Sequence, residues 1–177
     1  MNAANSLTIL RITLVPVIIF FLGQNSYATA TWIFLVAGVT DALDGFIARR
    51  FGQVTQLGSI LDPVADKALI ISTVIVLACK GLLPWWLATA VIVRDIIILG
   101  GAGAWYRKTG HLDMDPSWPS KINTFFQIVV IYLVLGNGAG LIRIVPWISV
   151  IFHLAVVTTI VSGIHYIIIW GRRARLL

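Results

Sequence analysis

The chain has 177 residues, of which 59% are hydrophobic and only 11% are charged, whereas soluble domains carry roughly 25% charged residues. This composition argues against a soluble domain, and apolar stretches that are continuous rather than alternating argue against a membrane β-barrel. The net charge of +6 indicates cationic loops facing anionic lipid, so no nucleic-acid partner is expected.

Six apolar segments, separated by polar or helix-breaking residues, predict six transmembrane helices, because a span needs about 20 mostly apolar residues. The predicted helices cover residues 7–22, 27–49, 58–79, 84–106, 120–135 and 146–170. Pro84 suits the first turn of the fourth helix, where a backbone N–H has no helical partner. We therefore expect an all-α polytopic membrane protein that forms a single domain over residues 1–177.

Positive charge decides the orientation of these spans, because cytoplasmic loops are enriched in Lys and Arg. With the N-terminus in the cytoplasm, the cytoplasmic side carries Arg11, Arg49, Arg50, Lys67, Arg107, Lys108, Lys121, Arg172, Arg173 and Arg175. The outer side carries Lys80 and Arg143, and Arg94 lies within the fourth span. We expect both termini to be cytoplasmic and the protein to lie in a bacterial inner (cytoplasmic) membrane. No cleavage site follows the first apolar run, so a signal peptide is not expected.

Four of the seven acidic residues, all of which are aspartates, lie within residues 41–66. Asp41 and Asp44 are three residues apart, and Asp62 and Asp66 are four apart, so each pair lies on one helix face. The short connection between the two helices predicts that they are antiparallel neighbours. All four carboxylates can then point into one pocket at the cytoplasmic membrane boundary, which is the expected active site.

Four carboxylates this close repel one another unless some are protonated or cations neutralise them. Hard oxygen ligands with room for phosphate oxygens suit Mg²⁺ or Mn²⁺, and a pair of ions can clamp a diphosphate. Gly45, Ala48 and Gly58 leave space beside the acidic faces, and Arg49 offers a fork of donors for a phosphate. Gly45 and Gly58 would also suit close helix packing, which stays open as their alternative role.

The aspartates and small residues together form a recognisable pattern. The order Asp41-x2-Asp44-Gly45-x2-Ala48-Arg49-x8-Gly58-x3-Asp62-x3-Asp66 resembles, at all eight positions, the signature of the CDP-alcohol phosphatidyltransferases. The resemblance implies a six-helix membrane enzyme, usually a homodimer, that displaces CMP from a CDP-linked lipid with an alcohol. It implies that two metal ions are bound by Asp41, Asp44, Asp62 and Asp66. It also implies that the CDP site is lined by Gly45, Ala48, Arg49 and Gly58. Asp66 is also expected to be the base that deprotonates the attacking hydroxyl.

Three stretches outside the signature bear on the acceptor alcohol. All three resemble the CMP-forming cardiolipin synthases: "LTILRITLVPVII" is shared with the phosphatidylglycerophosphate synthases and does not discriminate, whereas "VIVRDIIIL" and "SKINTFFQ" are closer to the cardiolipin synthase form. The resemblance implies CDP-diacylglycerol as donor and phosphatidylglycerol as acceptor, with glycerol 3-phosphate as the alternative acceptor. Asn123, where a second lysine would stand, makes the site less basic and favours a phosphodiester over a free phosphate dianion.

Both acceptors carry a phosphate, so a cationic acceptor site is expected. Lys121, at the cytoplasmic start of the fifth helix, is the first candidate to bind it, against a structural role as a snorkelling lysine. Arg94 within a span needs a partner, and the adjacent Asp95 does not share its helix face. Arg94 therefore either reaches the acceptor pocket or pairs with another helix.

Two other classes of protein also carry aspartates within membrane spans. An ion-coupled transporter distributes them along a pathway, whereas here four cluster at one face. An intramembrane prenyltransferase also uses aspartate-rich motifs and Mg²⁺, but those enzymes resemble longer bundles with two well-separated motifs. Both classes are weaker interpretations of this sequence than the phosphatidyltransferase.

Overall fold

A computed structural model of the chain describes the backbone of residues 3–51, 56–109, 117–144 and 146–174, and side chains within 10–40, 64–107, 117–144 and 146–172. Over these ranges the secondary structure comprises six α-helices and no strand. The helices are α1 (Ala3–Gly23), α2 (Tyr27–Phe51), α3 (Gln56–Cys79), α4 (Trp85–Thr109), α5 (Trp118–Gly138) and α6 (Ile148–Ala174). The all-helical prediction is confirmed, and each helix end lies within four residues of its predicted position.

Glycine ends two of the helices, because the backbone there enters the left-handed region. Gly81 follows α3 with φ of +71°, and its amide donates to the carbonyl of Ala78 at 3.0 Å. Gly140 follows α5 with the same φ. Glycine adopts this conformation without the steric cost of a Cβ. Pro84 lies immediately before α4 rather than inside it, and its carbonyl accepts the first hydrogen bonds of that helix.

Three helical segments are long and apolar enough to cross a bilayer, namely Trp85–Arg107, Trp118–Gly138 and Ile148–Arg172. Even the shortest, with 21 residues, extends roughly 32 Å, against about 30 Å for a hydrocarbon core. Large apolar side chains such as Trp118 and Phe125 are exposed on these helices, which suits lipid surroundings. Shorter apolar segments, Leu10–Gly23 and Tyr27–Thr40, lie in α1 and α2. Six spans and a cytoplasmic active site stay predictions.

The chain divides into two compact units, and the signature lies in the first. This first unit consists of Met1–Leu83 and Ile131–Val145. Within it α1 packs against both α2 and α3. The buried side chains include Ile18 and Leu22 of α1, Ala30 and Phe34 of α2, and Leu69 and Leu77 of α3. These residues form an apolar core that sets the distance between α1 and its two neighbours.

The second unit contains the three long apolar segments, except for the last part of α5. It consists of Pro84–Val130 and Pro146–Leu177. Within it α4 packs against α6, and Gly101 allows the close approach. A Cβ at Gly101 would lie 2.6 Å from the indole nitrogen of Trp170, so a larger residue would push the two helices apart. The expectation of one domain over residues 1–177 stays a prediction.

Candidate active site

The eight signature residues lie on α2 and α3, where the spacing predicts them. Residues 41–49 belong to α2, and residues 58–66 belong to α3. Because both segments are helical, each aspartate pair is separated by about one turn along its helix. The side chains of Asp41, Asp44, Gly45, Ala48, Arg49, Gly58 and Asp62 lie outside the described side chains. The shared carboxylate pocket and the lining of the CDP site therefore stay predictions.

Asp66 is the signature residue whose side chain the structure describes. Its Oδ1 lies 2.5 Å from Nη1 of Arg11, which belongs to α1. The Arg11 side chain is 6% exposed, whereas that of Asp66 is 35% exposed. The ion pair therefore joins a cation held inside the first unit to a carboxylate that is partly exposed.

Sequence reasoning used Arg11 only to orient the spans and missed this contact. The available signal was general: an arginine within an apolar helix needs an acidic partner. Spacing could not say which acid, because 55 positions separate Arg11 from Asp66. The packing of α1 against α3 determines which acidic residue contacts Arg11.

The donor set of the signature fits a hard divalent cation. All four predicted ligands are aspartates, whose oxygens suit Mg²⁺ or Mn²⁺, and the carboxylate of Asp66 is partly exposed. The described side chains contain no cluster of three or more His, Cys, Asp or Glu. Three of the four predicted ligands lie outside that set, so their convergence on one ion stays a prediction.

Arg94 of α4 is held by polar partners inside the second unit. Its Nη1 lies 2.6 Å from Oδ1 of Asp95, and its Nη2 lies 2.5 Å from Oγ of Ser120 on α5. Nε and Nη2 also donate to Oγ of Ser162 on α6, at 3.2 and 2.9 Å. Arg94 is 2% exposed and Asp95 is 0% exposed. This cluster joins three helices through one buried guanidinium.

The expectation that Asp95 cannot be the partner of Arg94 is wrong. Adjacent residues diverge by about 100° around a helix, but an arginine side chain is long enough for its guanidinium to return to the neighbouring carboxylate. The attraction is strong because both groups are shielded from water. Of the two roles considered for Arg94, these contacts favour pairing with neighbouring helices. A role in binding the acceptor phosphate stays a prediction.

Lys121 and Asn123 begin α5 in different surroundings. Lys121 is exposed, and its Nζ lies 5.6 Å from the centre of the Trp118 ring, within the range of a cation–π contact. Asn123 is 0% exposed, and its Oδ1 accepts hydrogen bonds from Thr158 at 3.1 Å and Thr159 at 3.0 Å. Asn123 therefore binds α5 to α6. Asn123 does not share the exposed surface of Lys121. Its lack of charge therefore no longer supports the expectation that the acceptor is a phosphodiester.

The sequence matches the family model of the CDP-alcohol phosphatidyltransferases over residues 1–161. This chain belongs to the CDP-alcohol phosphatidyltransferase family. The match covers α1 to α5 and about half of α6, and it includes both members of the Arg11–Asp66 pair. The resemblance carried by the eight-position signature is thereby confirmed.

Individual relatives within the CDP-alcohol phosphatidyltransferase family differ in their named reactions. A probable phosphatidylglycerophosphate synthase of Mycobacterium tuberculosis (strain ATCC 25618 / H37Rv) is 34% identical over 172 residues, with 94% of this chain and 80% of the relative covered. The CDP-diacylglycerol–glycerol-3-phosphate 3-phosphatidyltransferase of Escherichia coli (strain K12) is 35% identical over 177 residues, covering 94% and 93%. A probable CMP-forming cardiolipin synthase of Drosophila melanogaster is 34% identical over 183 residues, covering 94% and 57%.

Membership makes the chain a phosphatidyltransferase of phospholipid synthesis. CDP-alcohol phosphatidyltransferases generally depend on divalent metal, which agrees with the aspartate donor set. The names of the relatives divide between two acceptors, glycerol 3-phosphate and the acceptor of a cardiolipin synthase. Identities of 34–35% to both groups do not separate them.

Proposed function

We propose that this protein transfers the phosphatidyl group of CDP-diacylglycerol to phosphatidylglycerol, giving cardiolipin and CMP. The observation that carries the proposal is Asp66, a partly exposed carboxylate at the last position of the family signature. Asp41, Asp44, Asp62 and Asp66 hold two divalent ions in this proposal, either Mg²⁺ or Mn²⁺. Held by these residues, the ions would supply positive charge against the diphosphate and against the charge that develops on the leaving CMP.

The protein's own residues supply the proton transfer and the binding. Asp66 accepts the proton of the acceptor hydroxyl. At the same time the hydroxyl oxygen bonds to the phosphorus that carries diacylglycerol. The bond from that phosphorus to the CMP oxygen breaks, and its electron pair leaves with CMP. Gly45, Ala48, Arg49 and Gly58 line the CDP site. The small residues among them let the nucleotide approach the backbone, and Arg49 binds a phosphate.

The charge around Arg94 supports phosphatidylglycerol as the acceptor. Of the two cations predicted for the acceptor site, Arg94 is balanced by the buried carboxylate of Asp95, whereas Lys121 is exposed. Of these two described cations, Lys121 is the exposed one, and its single charge matches the single charge of a phosphodiester better than the two charges of glycerol 3-phosphate. Lys121 is therefore the residue proposed to bind the acceptor phosphate. The resemblance of "VIVRDIIIL" and "SKINTFFQ" to cardiolipin synthases points the same way.

The proposed setting is a bacterial inner membrane, with six spans, both termini in the cytoplasm and the chain folded as one domain. At the cytoplasmic boundary the acyl chains of both lipids can stay in the bilayer while the cytidine nucleotide comes from water. A homodimer is proposed from the family resemblance. Ten Lys and Arg on the proposed inner side against two on the outer side support this orientation.

The acceptor is tested by offering the purified protein CDP-diacylglycerol with either phosphatidylglycerol or glycerol 3-phosphate, in the presence of Mg²⁺ or Mn²⁺. We expect CMP release and cardiolipin with phosphatidylglycerol. Product with glycerol 3-phosphate alone would establish the second candidate, phosphatidylglycerophosphate synthase, which the Mycobacterium tuberculosis and Escherichia coli relatives favour. Transmembrane ion flux without CMP release from either mixture would instead favour a transporter.

A further inference from the structure

We propose that Arg11 is a positioning residue for Asp66: it holds the carboxylate from within the first unit so that the exposed part faces the acceptor hydroxyl. The inference rests on the proposed function, in which Asp66 takes the proton. Arg11 does not touch the substrate, because its side chain is only 6% exposed. Its effect reaches the reaction through the contact of 2.5 Å between its Nη1 and Oδ1 of Asp66.

The burial of Arg11 makes this contact costly to break. Arg11 lies on the same buried stripe of α1 as Ile18 and Leu22, seven and eleven positions further along. A buried cation needs an acidic partner, and arginine keeps its charge at every working pH. Separating Arg11 from Asp66 should therefore cost more free energy than breaking an ion pair on the protein surface.

A second polar contact shows how α1 and α3 run relative to each other. At the other end of these helices, Lys80 Nζ lies 2.5 Å from Asn25 Oδ1 and 3.3 Å from the carbonyl oxygen of Gly23. Arg11 precedes Gly23 by twelve residues, or roughly 18 Å along α1. Asp66 precedes Lys80 by fourteen residues. The two helices are thus parallel, with one polar contact near each end of the pair.

The surroundings of the carboxylate decide what Arg11 can do for it. Ala65, next to Asp66, is 1% exposed, and Leu69, one turn further on, is 6% exposed. Asp66 itself is 35% exposed, so its carboxylate lies at the border of the buried face. An arginine that approaches from inside restricts the rotation of this group. A base that is misplaced by about 1 Å can lose about 100-fold in rate, which is the scale of effect expected here.

The test compares Arg11→Met and Arg11→Lys with Lys80→Met as a matched control. Lys80→Met also removes a cation that joins α1 to α3, but at the far end. Arg11→Met should lower kcat 10- to 100-fold and leave the KM for CDP-diacylglycerol within threefold. Arg11→Lys, which keeps the charge, should retain at least a third of the wild-type kcat. Lys80→Met should have a kcat within twofold of the wild type. Equal losses in Arg11→Met and Lys80→Met would overturn the inference.

Dependence on Asp66 is tested by repeating Arg11→Met in an Asp66→Asn background under single-turnover conditions. If Arg11 acts through Asp66, the second substitution should cost less than twofold there. The same 10- to 100-fold loss in both backgrounds would show that Arg11 has a different role. If Arg11→Met does not fold, Arg11→Gln, which also removes the charge, takes its place: a 10- to 100-fold lower kcat at an unchanged KM supports the inference, and a kcat within twofold of the wild type overturns it.

The outcomes separate this inference from the proposed function. Normal turnover by Asp66→Asn would refute the base assignment and the inference with it. Loss of turnover by Asp66→Asn, combined with a fully active Arg11→Met, would refute only the role of Arg11.

Discussion

Two Arg–Asp pairs, one in each unit, place the same charges in different surroundings. In the first unit, Arg11 of α1 meets Asp66 of α3, and the aspartate stays 35% exposed. In the second unit, Arg94 and Asp95 are neighbours on α4, and the aspartate is 0% exposed. Two serine hydroxyls from α5 and α6 complete the surroundings of Arg94.

The difference in exposure separates a pair that is open to solvent from a pair that belongs to a buried cluster joining three helices. A carboxylate that removes a proton from a substrate must be reached by that substrate, and Asp66 can be reached. Asp95 is enclosed, so its charge serves to balance Arg94 inside an apolar segment. Burial, rather than the presence of an ion pair, therefore distinguishes the candidate site from the structural cluster. The predictions below test this distinction.

Removal of divalent metal should have the largest effect. Stringent chelation with EDTA should abolish CMP release. Without the metal ions, no positive charge compensates the four aspartates and the diphosphate. Addition of Mg²⁺ or Mn²⁺ in excess should restore the activity, measured with CDP-diacylglycerol and phosphatidylglycerol. Full activity after chelation would contradict the assignment of Asp41, Asp44, Asp62 and Asp66 as metal ligands.

Asp66→Asn should lower kcat by about 100- to 10,000-fold, which is the usual contribution of a positioned general base. Asparagine keeps the size of the side chain but cannot take the proton at this position. Binding of CDP-diacylglycerol, measured by calorimetry in detergent, should stay within threefold of the wild type. Lys80→Met, just beyond the end of α3, provides the control. Substantial turnover by Asp66→Asn at saturating substrate would show that another group is the base.

Arg94→Met should destabilise the protein by about 3–5 kcal/mol, because it leaves the buried charge of Asp95 without its cation. Arg94→Met/Asp95→Asn should be more stable than Arg94→Met alone, since it removes both charges. Thermal unfolding in detergent measures the difference. A double variant as unstable as the single one would show that the charge of Asp95 is not the cause.

Lys121→Gln should have the smallest effect, since an exposed charge contributes about 0.2–1 kcal/mol. The KM for phosphatidylglycerol should rise up to about fivefold, with kcat and the KM for the donor unchanged. Lys121→Arg, which keeps the charge, should remain within twofold of the wild type. A fall in kcat without any change in acceptor KM would assign Lys121 to helix packing instead of acceptor binding.

Much of the fold follows from local sequence features. Each helix end falls within four residues of its prediction, and at three of these ends the cause is local, because Gly81, Pro84 and Gly140 interrupt helices through their own backbone preferences. The eight-position signature predicted the family for the same reason: its spacing is a property of residues 41–66 alone. A helix preserves such spacing wherever it packs.

Interactions between side chains were harder to predict, and two particular residues show why. Helix geometry predicted that Arg94 and Asp95 point in different directions. The long side chain of Arg94 nevertheless bends back, and its guanidinium contacts the carboxylate of Asp95. Asn123 follows Lys121 by two residues, yet it is buried against Thr158 and Thr159 while Lys121 is exposed. Residues two apart on a helix point in different directions, and only the neighbouring helix decides which direction is buried.

The sequence by itself determined that the chain is helical and apolar, and that it carries the aspartate signature of its family. Only the tertiary structure decided which acid meets Arg11 and which aspartate stays accessible. The physical reason is the range of the interactions. Helix formation and its interruption depend on neighbours within a few residues, whereas the Arg11–Asp66 contact exists because α1 and α3 pack in parallel and bury one partner more than the other.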